Sequence, residues 1–253
     1  MNRRRLVLVL VLGLIVLLPA LSHAQGRPQP LPKITIGVDQ ARSPQDVAVT
    51  LQIVLLMTVL SLVPAVVMMM TSFTRIVIVF SFLRQSLATQ QSPPTQVMVG
   101  LALFLTIFIM APVGQEINDQ ALQPYLKGQM AQSEAYQRAM EPVRDFMLRQ
   151  TREKDLSLFV NLSNMERPEA PEDLPIHVII PAFMISEFRM AFQIGFMLYI
   201  PFLVLDMVVA SVLMSMGMMM LPPMMISLPL KLVLFVLVDG WHLIVGSLVA
   251  GFK

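Results

Sequence analysis

The chain has 253 residues, of which 56% are hydrophobic and only 13% charged, and its formal net charge is +2. A mean hydropathy of +0.71 is far above that of a soluble domain and indicates that a lipid bilayer is its solvent. The lack of cysteine excludes disulfides, thiolate metal sites and thiol nucleophiles, and the lack of a dense basic cluster after residue 5 excludes nucleic acid as a partner.

The first 24 residues have the pattern of a secretory signal peptide. Arginines at 3–5 form a positive n-region, residues 6–18 an apolar h-region, and a small-x-small sequence ends at Ala24. We predict cleavage after Ala24, because the h-region is too short to serve comfortably as an uncleaved membrane anchor. The Pro-rich residues 25–46 show no apolar period and predict an extended periplasmic leader.

Two uncharged apolar runs follow, and they predict a first hydrophobic hairpin. The first run, residues 47–70, is long enough to cross a bilayer at about 1.5 Å per residue. Residues 71–96 carry Arg75 and Arg84 but no acid, which predicts a connector on the cytoplasmic side. The second run, residues 97–113, returns the chain to the outside.

The second run is expected to end at Pro112, since proline disrupts a helix interior. Residues 114–177 then have the composition of a soluble module, and their acidic excess favours the periplasmic side. An amphipathic helix is indicated by apolar residues at helical spacing: Ala135, Ala139, Met140, Val143, Phe146 and Met147. Phe146 and Phe159 either fill the core of this module or contact neighbouring copies, and the small size of the module slightly favours the core.

Two further apolar stretches, residues 176–205 and 228–252, carry charge at an unfavourable depth. The charged residues within or beside them are Glu187, Arg189, Asp206, Lys231 and Asp239. An unpaired charge at the hydrophobic level is costly, so we predict structural pairing for all five, with a proton relay as the minority alternative. Asp206 and Lys231 could meet across the last hairpin, whereas Glu187 and Arg189 point to different helix faces and need separate partners.

Residues 207–230 carry no charge, yet we do not expect them to form one continuous helix. Gly217 and the prolines at 222, 223 and 229 favour a break, and broken backbone at membrane depth survives only inside protein or along a wet cavity. Methionine is unbranched and polarizable, so a methionine-rich loop at 214–225 can form a deformable seal. The residues predicted to form this gate are Met218, Met219 and Met220, together with Gly217, Pro222 and Pro223. The alternative, in which methionine merely replaces leucine, is preferred for methionines elsewhere in the chain.

Enzymatic interpretations find no support in the sequence. It contains no His-Glu-x-x-His, no Gly-x-Ser-x-Gly and no phosphate-binding glycine loop. We therefore predict no catalytic residue, no cofactor and no metal.

Two blocks of sequence resemble the FliP family of flagellar export proteins. The first block contains Thr71–Val79, Leu83–Arg84, Gln90–Gln91, Pro93–Pro94 and Gly100–Thr106. The second contains Pro181–Phe183, Ser186–Glu187, Ala191–Phe196, Val209–Ser211, Met214–Met220, Pro222–Pro223, Ser227–Pro229 and Leu237–Trp241. The resemblance runs from about residue 53 to the end of the sequence, and its departures are Ala88, Thr95 and Arg189, where the family pattern favours glycine, asparagine and lysine.

The resemblance implies a helical-hairpin subunit that oligomerises with two smaller membrane proteins, FliQ and FliR, into an export gate for unfolded flagellar proteins. It implies that Met218, Met219 and Met220 form a methionine gasket, and that Phe146, Phe159 and Glu187 support assembly. It also implies hairpins that are raised out of the bilayer in the assembled complex. The homologous injectisome subunit is one alternative, and a secondary transporter is another that the absence of inverted repeats disfavours.

The predicted fold is an all-α membrane protein with about four hydrophobic segments, in the inner membrane at the flagellar basal body. Its two termini and residues 114–177 are predicted to face the periplasm. The predicted regions are the signal peptide 1–24, the leader 25–46, a first hairpin 47–113 with connector 71–96, a periplasmic module 114–177, and a second hairpin 178–253 with gate loop 214–225.

Overall fold

The structure is a computed structural model that describes residues 44–89, 91–163, 165, 170, 173–218 and 221–252, with only the backbone described at 44–50. The described residues belong to two units, 44–54 and 55–252. The predicted signal peptide and nearly all of the predicted leader lie outside the described residues, and so do Met219 and Met220.

In the described ranges, every regular element is helical, as the composition predicts. The helices are α1 (Pro44–Met69), α2 (Phe73–Ser86), α3 (Thr95–Ile117), α4 (Gln123–Leu126), α5 (Gln132–Gln150), α6 (Glu153–Leu162), α7 (Ile176–Ser215), α8 (Pro223–Leu237) and α9 (Gly240–Ala250). A π-helical turn, Asn118–Leu122, joins α3 to α4. Among the described residues, the first unit contains the N-terminal turns of α1, and helices α2 to α9 belong to the second.

Three helices are long and apolar enough to cross a membrane, at Leu51–Met69, Thr95–Leu126 and Ile176–Ser215. Helices α8 and α9 would form a fourth span if they cross as one bent segment. The angle between them is 63°. Asp239 occupies the bend with a left-handed backbone, φ 51°, and its carbonyl accepts the first hydrogen bond of α9. The expected number of about four hydrophobic segments is therefore confirmed by length and composition.

Helix α3 continues beyond the predicted end of the second apolar run. Pro112 and Gly114 both lie inside the helix, which runs to Ile117 and continues through the π-helical turn. The predicted helix end at Pro112 is therefore wrong. An interior proline removes one backbone hydrogen bond and crowds the preceding turn, and apolar helices tolerate it when local π-helical adjustments and neighbouring helices compensate.

Helix α7 joins the third predicted apolar stretch to the first part of the charge-free segment. The break predicted between 207 and 230 occurs only after Ser215. There the Gly217 N–H donates to the Met214 carbonyl at 3.1 Å and the Met218 N–H donates to the Leu213 carbonyl at 3.0 Å. These two bonds form a Schellman motif, and Gly217, at φ 76°, supplies the left-handed residue that the motif requires. Pro223 then begins α8, because the first helical position needs no amide donor.

The predicted connector 71–96 contains helix α2, which lies at the centre of the first apolar cluster. In α2, Ile76, Val79, Phe80 and Leu83 are at most 1% exposed and follow the i, i+3, i+4, i+7 spacing of one helix face. Helix α2 lies along α7 so closely that a Cβ on Gly195 would come within 2.5 Å of the Phe82 ring. The assignment of this segment to the cytoplasmic side stays a prediction.

Helix α2 ends with an alanine in a left-handed conformation. Ala88 has φ 58° and donates its N–H to the Gln85 carbonyl at 3.0 Å, immediately after the capping residue Leu87. A Cβ is unfavourable in this region of backbone space. A glycine, which has no Cβ, would adopt this conformation without that strain.

A second apolar cluster forms where α3, α5, α6 and α7 meet. The amphipathic helix predicted around 135–147 is confirmed as α5, whose buried residues Phe146 and Met147 face Val113 of α3 and Ile179 of α7. The residues predicted as a separate module at 114–177 thus share their core with helices on both sides.

Candidate functional site: buried charges and the hairpin tip

The partner of Glu187 is Arg75, a residue 112 positions earlier in the chain. The Arg75 Nε donates to Glu187 Oε2 at 2.9 Å, and its Nη2 donates to Oε1 of the same carboxylate. The two side chains are 2% and 0% exposed, so this bidentate ion pair lies fully inside the protein. It joins α2 to α7 at the level of the core.

The Arg75 guanidinium has three further contacts, which use two of its three remaining donors and its face. Nη1 donates to the Gly251 carbonyl and Nη2 to Gln150 Oε1, each at 3.1 Å. The ring of Phe252 lies 3.8 Å from the guanidinium carbon, a cation–π contact. A single buried cation therefore holds α2, α5, α7 and the segment after α9 together.

A second buried polar contact lies next to Glu187 on α7. The Ser186 hydroxyl donates to Asp155 Oδ2 at 2.7 Å and accepts the Arg152 N–H at 3.1 Å. Asp155, in the first turn of α6, is itself buried. This contact attaches the start of α6 to the helix that carries the Arg75–Glu187 pair.

The two aromatic residues predicted to support assembly lie in the second apolar cluster. Phe146 is 4% exposed and packs edge-on against Phe183, at 6.1 Å between ring centroids, and in a stacked arrangement with Phe252 at 6.2 Å. Phe159 is only half-buried at the edge of the same cluster. Within this chain, Phe146 is a core residue, whereas part of Phe159 faces outward.

Asp206 and Lys231 are brought together by the hairpin of α7 and α8. Lys231 Nζ donates to Asp206 Oδ2 at 2.6 Å and to the Ser86 carbonyl, at the end of α2, at 3.1 Å. The lysine side chain is 3% exposed and the aspartate side chain 38%. A cation at the C-terminal end of α2 also complements the helix dipole.

A groove of about 710 Å³ lies beside this ion pair. It is lined by both arms of the hairpin and by the end of α2, and its lining residues include Arg84, Tyr199, Asp206, Met207, Met224 and Lys231. Asp206 Oδ1, in contrast to Oδ2, is buried without a hydrogen-bond partner. The two arms are thus joined by a polar contact and separated by open space next to it.

The other two predicted charges are not brought into such pairs. Arg189 and Asp239 are both exposed. Among the residues that the structure describes, neither makes an ion pair within 4.0 Å. Asp239 instead contributes the left-handed backbone at the bend between α8 and α9.

The hairpin tip presents apolar side chains to the outside. Met218 is 39% exposed, and Met216, Met224 and Met225 are exposed as well. Met219 and Met220 lie outside the described residues, so of the predicted three-methionine gate only Met218 has described geometry. The break predicted from the glycine and the prolines lies between Ser215, the last residue of α7, and Pro223, the first residue of α8.

The described side chains show no metal-binding arrangement, since no group of three or more His, Asp or Glu residues is close enough to hold an ion. Sequence reasoning missed Arg75, Gln150 and Asp155 as members of the buried polar network. The position of Arg75 beside the apolar stripe of α2 could have predicted its burial, since helical spacing places the arginine at the edge of a buried face.

The chain was compared with known proteins. The sequence model of the FliP family matches residues 56–248 of this chain. The chain is 58% identical over 217 residues to the flagellar biosynthetic protein FliP of Bacillus subtilis (strain 168), covering 86% of this chain and 98% of that protein. It is 56% identical over 202 residues to FliP of Caulobacter vibrioides (strain ATCC 19089 / CIP 103742 / CB 15), covering 80% of this chain and 76% of that protein. It is 48% identical over 206 residues to FliP of Aquifex aeolicus (strain VF5), covering 81% of this chain and 86% of that protein.

Proposed function

The chain belongs to the FliP family, membrane components of the flagellar export apparatus, and from this we propose that several copies of it form the channel of the export gate without catalysing a reaction. In this proposal, unfolded flagellar proteins pass through the channel, FliQ and FliR complete it, and the methionine tip acts as its gasket. The observation that carries it is the broken hairpin, whose exposed methionines lie between α7 and α8.

The physical argument for a shared channel starts from the tip. The Schellman bonds satisfy carbonyls at the end of α7, but Met218, Leu221 and Pro222 lie outside both helices. Such backbone is unfavourable against lipid and is tolerated when protein surrounds it or water reaches it. Flexible thioether side chains around a central opening would close it at rest and deform around a passing polypeptide.

Exposed apolar surface supports association with neighbouring chains or lipid. Helix α1 has no buried residue between Leu51 and Met69, and α7 is 40 residues long, about 60 Å, or twice the hydrocarbon thickness of a bilayer. A helix of that length supports a gate in which part of the hairpin extends beyond the bilayer. Phe146 and Glu187 would support assembly from within, by fixing the relative positions of α2, α5 and α7, while the half-exposed Phe159 could also contact a neighbour.

The gasket is tested by replacing Met218, Met219 and Met220 together with alanine in motile cells. We expect the membrane to become leaky to ions while flagellar secretion continues, measured as loss of ion gradient alongside export of flagellin. Met197, which is exposed on α7, is the matched control, and its alanine variant should stay ion-tight. A triple variant that is as ion-tight as the parent would count against the gasket.

The proposed location is the inner membrane, with a cleaved signal peptide and residues 114–177 in the periplasm. Because the chain has no cysteine, a single cysteine reports its own accessibility. A membrane-impermeant maleimide added from the periplasmic side should label Ser133→Cys but not Ser92→Cys, both at exposed positions. Mass spectrometry of the inserted protein should find an N-terminus at Gln25, and finding Met1 would contradict the cleavage.

The injectisome alternative receives no support from the named relatives, all of which are flagellar. The transporter alternative would need a solute site at mid-membrane. The groove beside Asp206 is open and lies near the end of the hairpin, so no specific observation favours that function.

A further inference from the structure

One buried lysine connects the two arms of the tip hairpin to the core. Lys231 on α8 contacts Asp206 on α7 at 2.6 Å and the Ser86 carbonyl of α2 at 3.1 Å. Ser86 is the last residue of α2, and it is buried together with the rest of that helix face. The two arms are thus held at one point against a packed part of the protein.

The ion pair lies far enough from the tip that a small rotation of an arm about it would displace the tip. Asp206 precedes the end of α7 by nine residues and Lys231 follows the start of α8 by eight, which places the ion pair about 12–14 Å below the tip. The groove of about 710 Å³ beside the ion pair extends toward the tip, where it is lined by Met207 and Ala210 from one arm and by Pro223 and Met224 from the other. The distal parts of the arms therefore have room to move relative to each other.

Loss of the ion pair is expected to change the relative positions of the two arms. Lys231 is 3% exposed, and a buried ammonium that loses its carboxylate is strongly unfavourable unless it reaches water. Lys231 itself lines the open groove, so an ammonium without its carboxylate is expected to turn into the groove and to release the Ser86 carbonyl. Helix α8 then loses its polar contact with α2.

We propose that the Asp206–Lys231 pair, held to the Ser86 carbonyl, is a latch that sets the spacing of the two hairpin arms and so the tightness of the methionine tip. This rests on the proposed gasket. The latch residues are positioning residues, since they lie below the tip and act on it through the arms. Breaking the latch splays the arms and loosens the seal.

The spacing of the arms can be measured with two spin labels, because the chain contains no native cysteine. Labels at Ser215→Cys and Met225→Cys lie on opposite arms, both exposed and above the ion pair. Purified gates assembled from labelled chain diluted with unlabelled chain report the distance within one protomer. Lys231→Met is the main variant, because it removes the cation and keeps the apolar stem, and the remaining Asp206 is partly exposed and can be hydrated.

We expect Lys231→Met to lengthen and broaden the distance by about 5 Å, which is the displacement of a lever of about 14 Å rotated by about 20°. Asp206→Asn should do the same, and both should make cells leaky to ions. Asp239→Asn and Arg189→Gln, at exposed charges outside the latch, should change neither quantity. An unchanged distance in Lys231→Met overturns the latch, and if Asp206→Asn fails to accumulate, Lys231→Met alone decides.

The latch and the gasket fail differently in this experiment. If the triple alanine variant of Met218 to Met220 leaks but Lys231→Met keeps both the parental distance and an ion-tight membrane, the gasket stands and the latch is wrong. If Lys231→Met moves the arms while neither variant leaks, the arms are latched but the methionines are not the seal, and the proposed link between latch and seal is refuted.

Discussion

Replacing Glu187 with leucine removes the only carboxylate that contacts Arg75 among the described residues. Both side chains are buried, so the guanidinium would keep its charge with no counterion inside the protein. Removing one partner of a buried ion pair typically costs about 3–5 kcal/mol. The contacts of Arg75 with Gly251, Gln150 and Phe252 remain in the variant, and they keep the arginine in place rather than letting it turn to water.

Removing both charges should cost much less than removing one. In the double variant Arg75→Met, Glu187→Leu, no uncompensated charge stays buried, and the main loss is the donors to the Gly251 carbonyl and to Gln150, at about 1 kcal/mol each. We therefore expect a coupling of at least about 3 kcal/mol between the two positions in a double-mutant cycle.

The free energy of unfolding can be followed in mixed micelles by the fluorescence of Trp241, the single tryptophan, which packs against Phe80 and Phe235. Glu134→Ala is the matched control, since its ion pair with Arg138 lies on the surface of α5 with both side chains about half exposed. That control should change stability by no more than about 0.5 kcal/mol. Additive effects of the two single substitutions at 75 and 187 would refute the reasoning.

Three further substitutions test other parts of the packing by the same unfolding measurement. Ala88→Gly should stabilise the protein by about 0.5–1 kcal/mol, because it removes a Cβ from a left-handed residue; a less stable variant would show that the positive φ is not strained. Gly195→Ala should cost about 1–3 kcal/mol, since the new Cβ meets the Phe82 ring, and it should cost less when it is introduced into a Phe82→Ala chain, where the ring is absent. Ser186→Ala should cost about 1–3 kcal/mol, because the buried Asp155 carboxylate loses its hydroxyl donor, and an unaffected variant would mean that water replaces the serine.

The helical class, the number of apolar segments and the break after α7 could be predicted because each depends on local chemistry. Hydropathy alone identifies a segment long enough to cross a bilayer. Gly217 and the proline pair at 222 and 223 carry the chain out of the helix by backbone preferences that need no tertiary information. The helix end predicted at Pro112 is wrong because the free-energy cost of a proline inside a helix depends on the helices packed around it. The local sequence does not contain that information.

The buried polar network could be predicted only in part, because the sequence does not show which residue a charged side chain pairs with. Asp206 and Lys231 belong to consecutive helices, and a hairpin brings such residues close by connectivity. Glu187 and Arg75 are separated by 112 positions, and only the packing of α2 along α7 brings them together. Arg75 was interpreted from the absence of acids around it, as a charge facing the cytoplasm, whereas its apolar neighbours at helical spacing fit the buried position that it has.

The contacts of Arg75 also set an order of events during synthesis. Its carboxylate partner is made 112 residues later and the Gly251 carbonyl 176 residues later, which at about 5–20 residues per second is a delay of roughly 6–35 s. Throughout that interval the cation cannot enter an apolar environment without a counterion. The nascent α2 is therefore expected to wait at the water interface or on an insertion factor until α7 emerges from the ribosome.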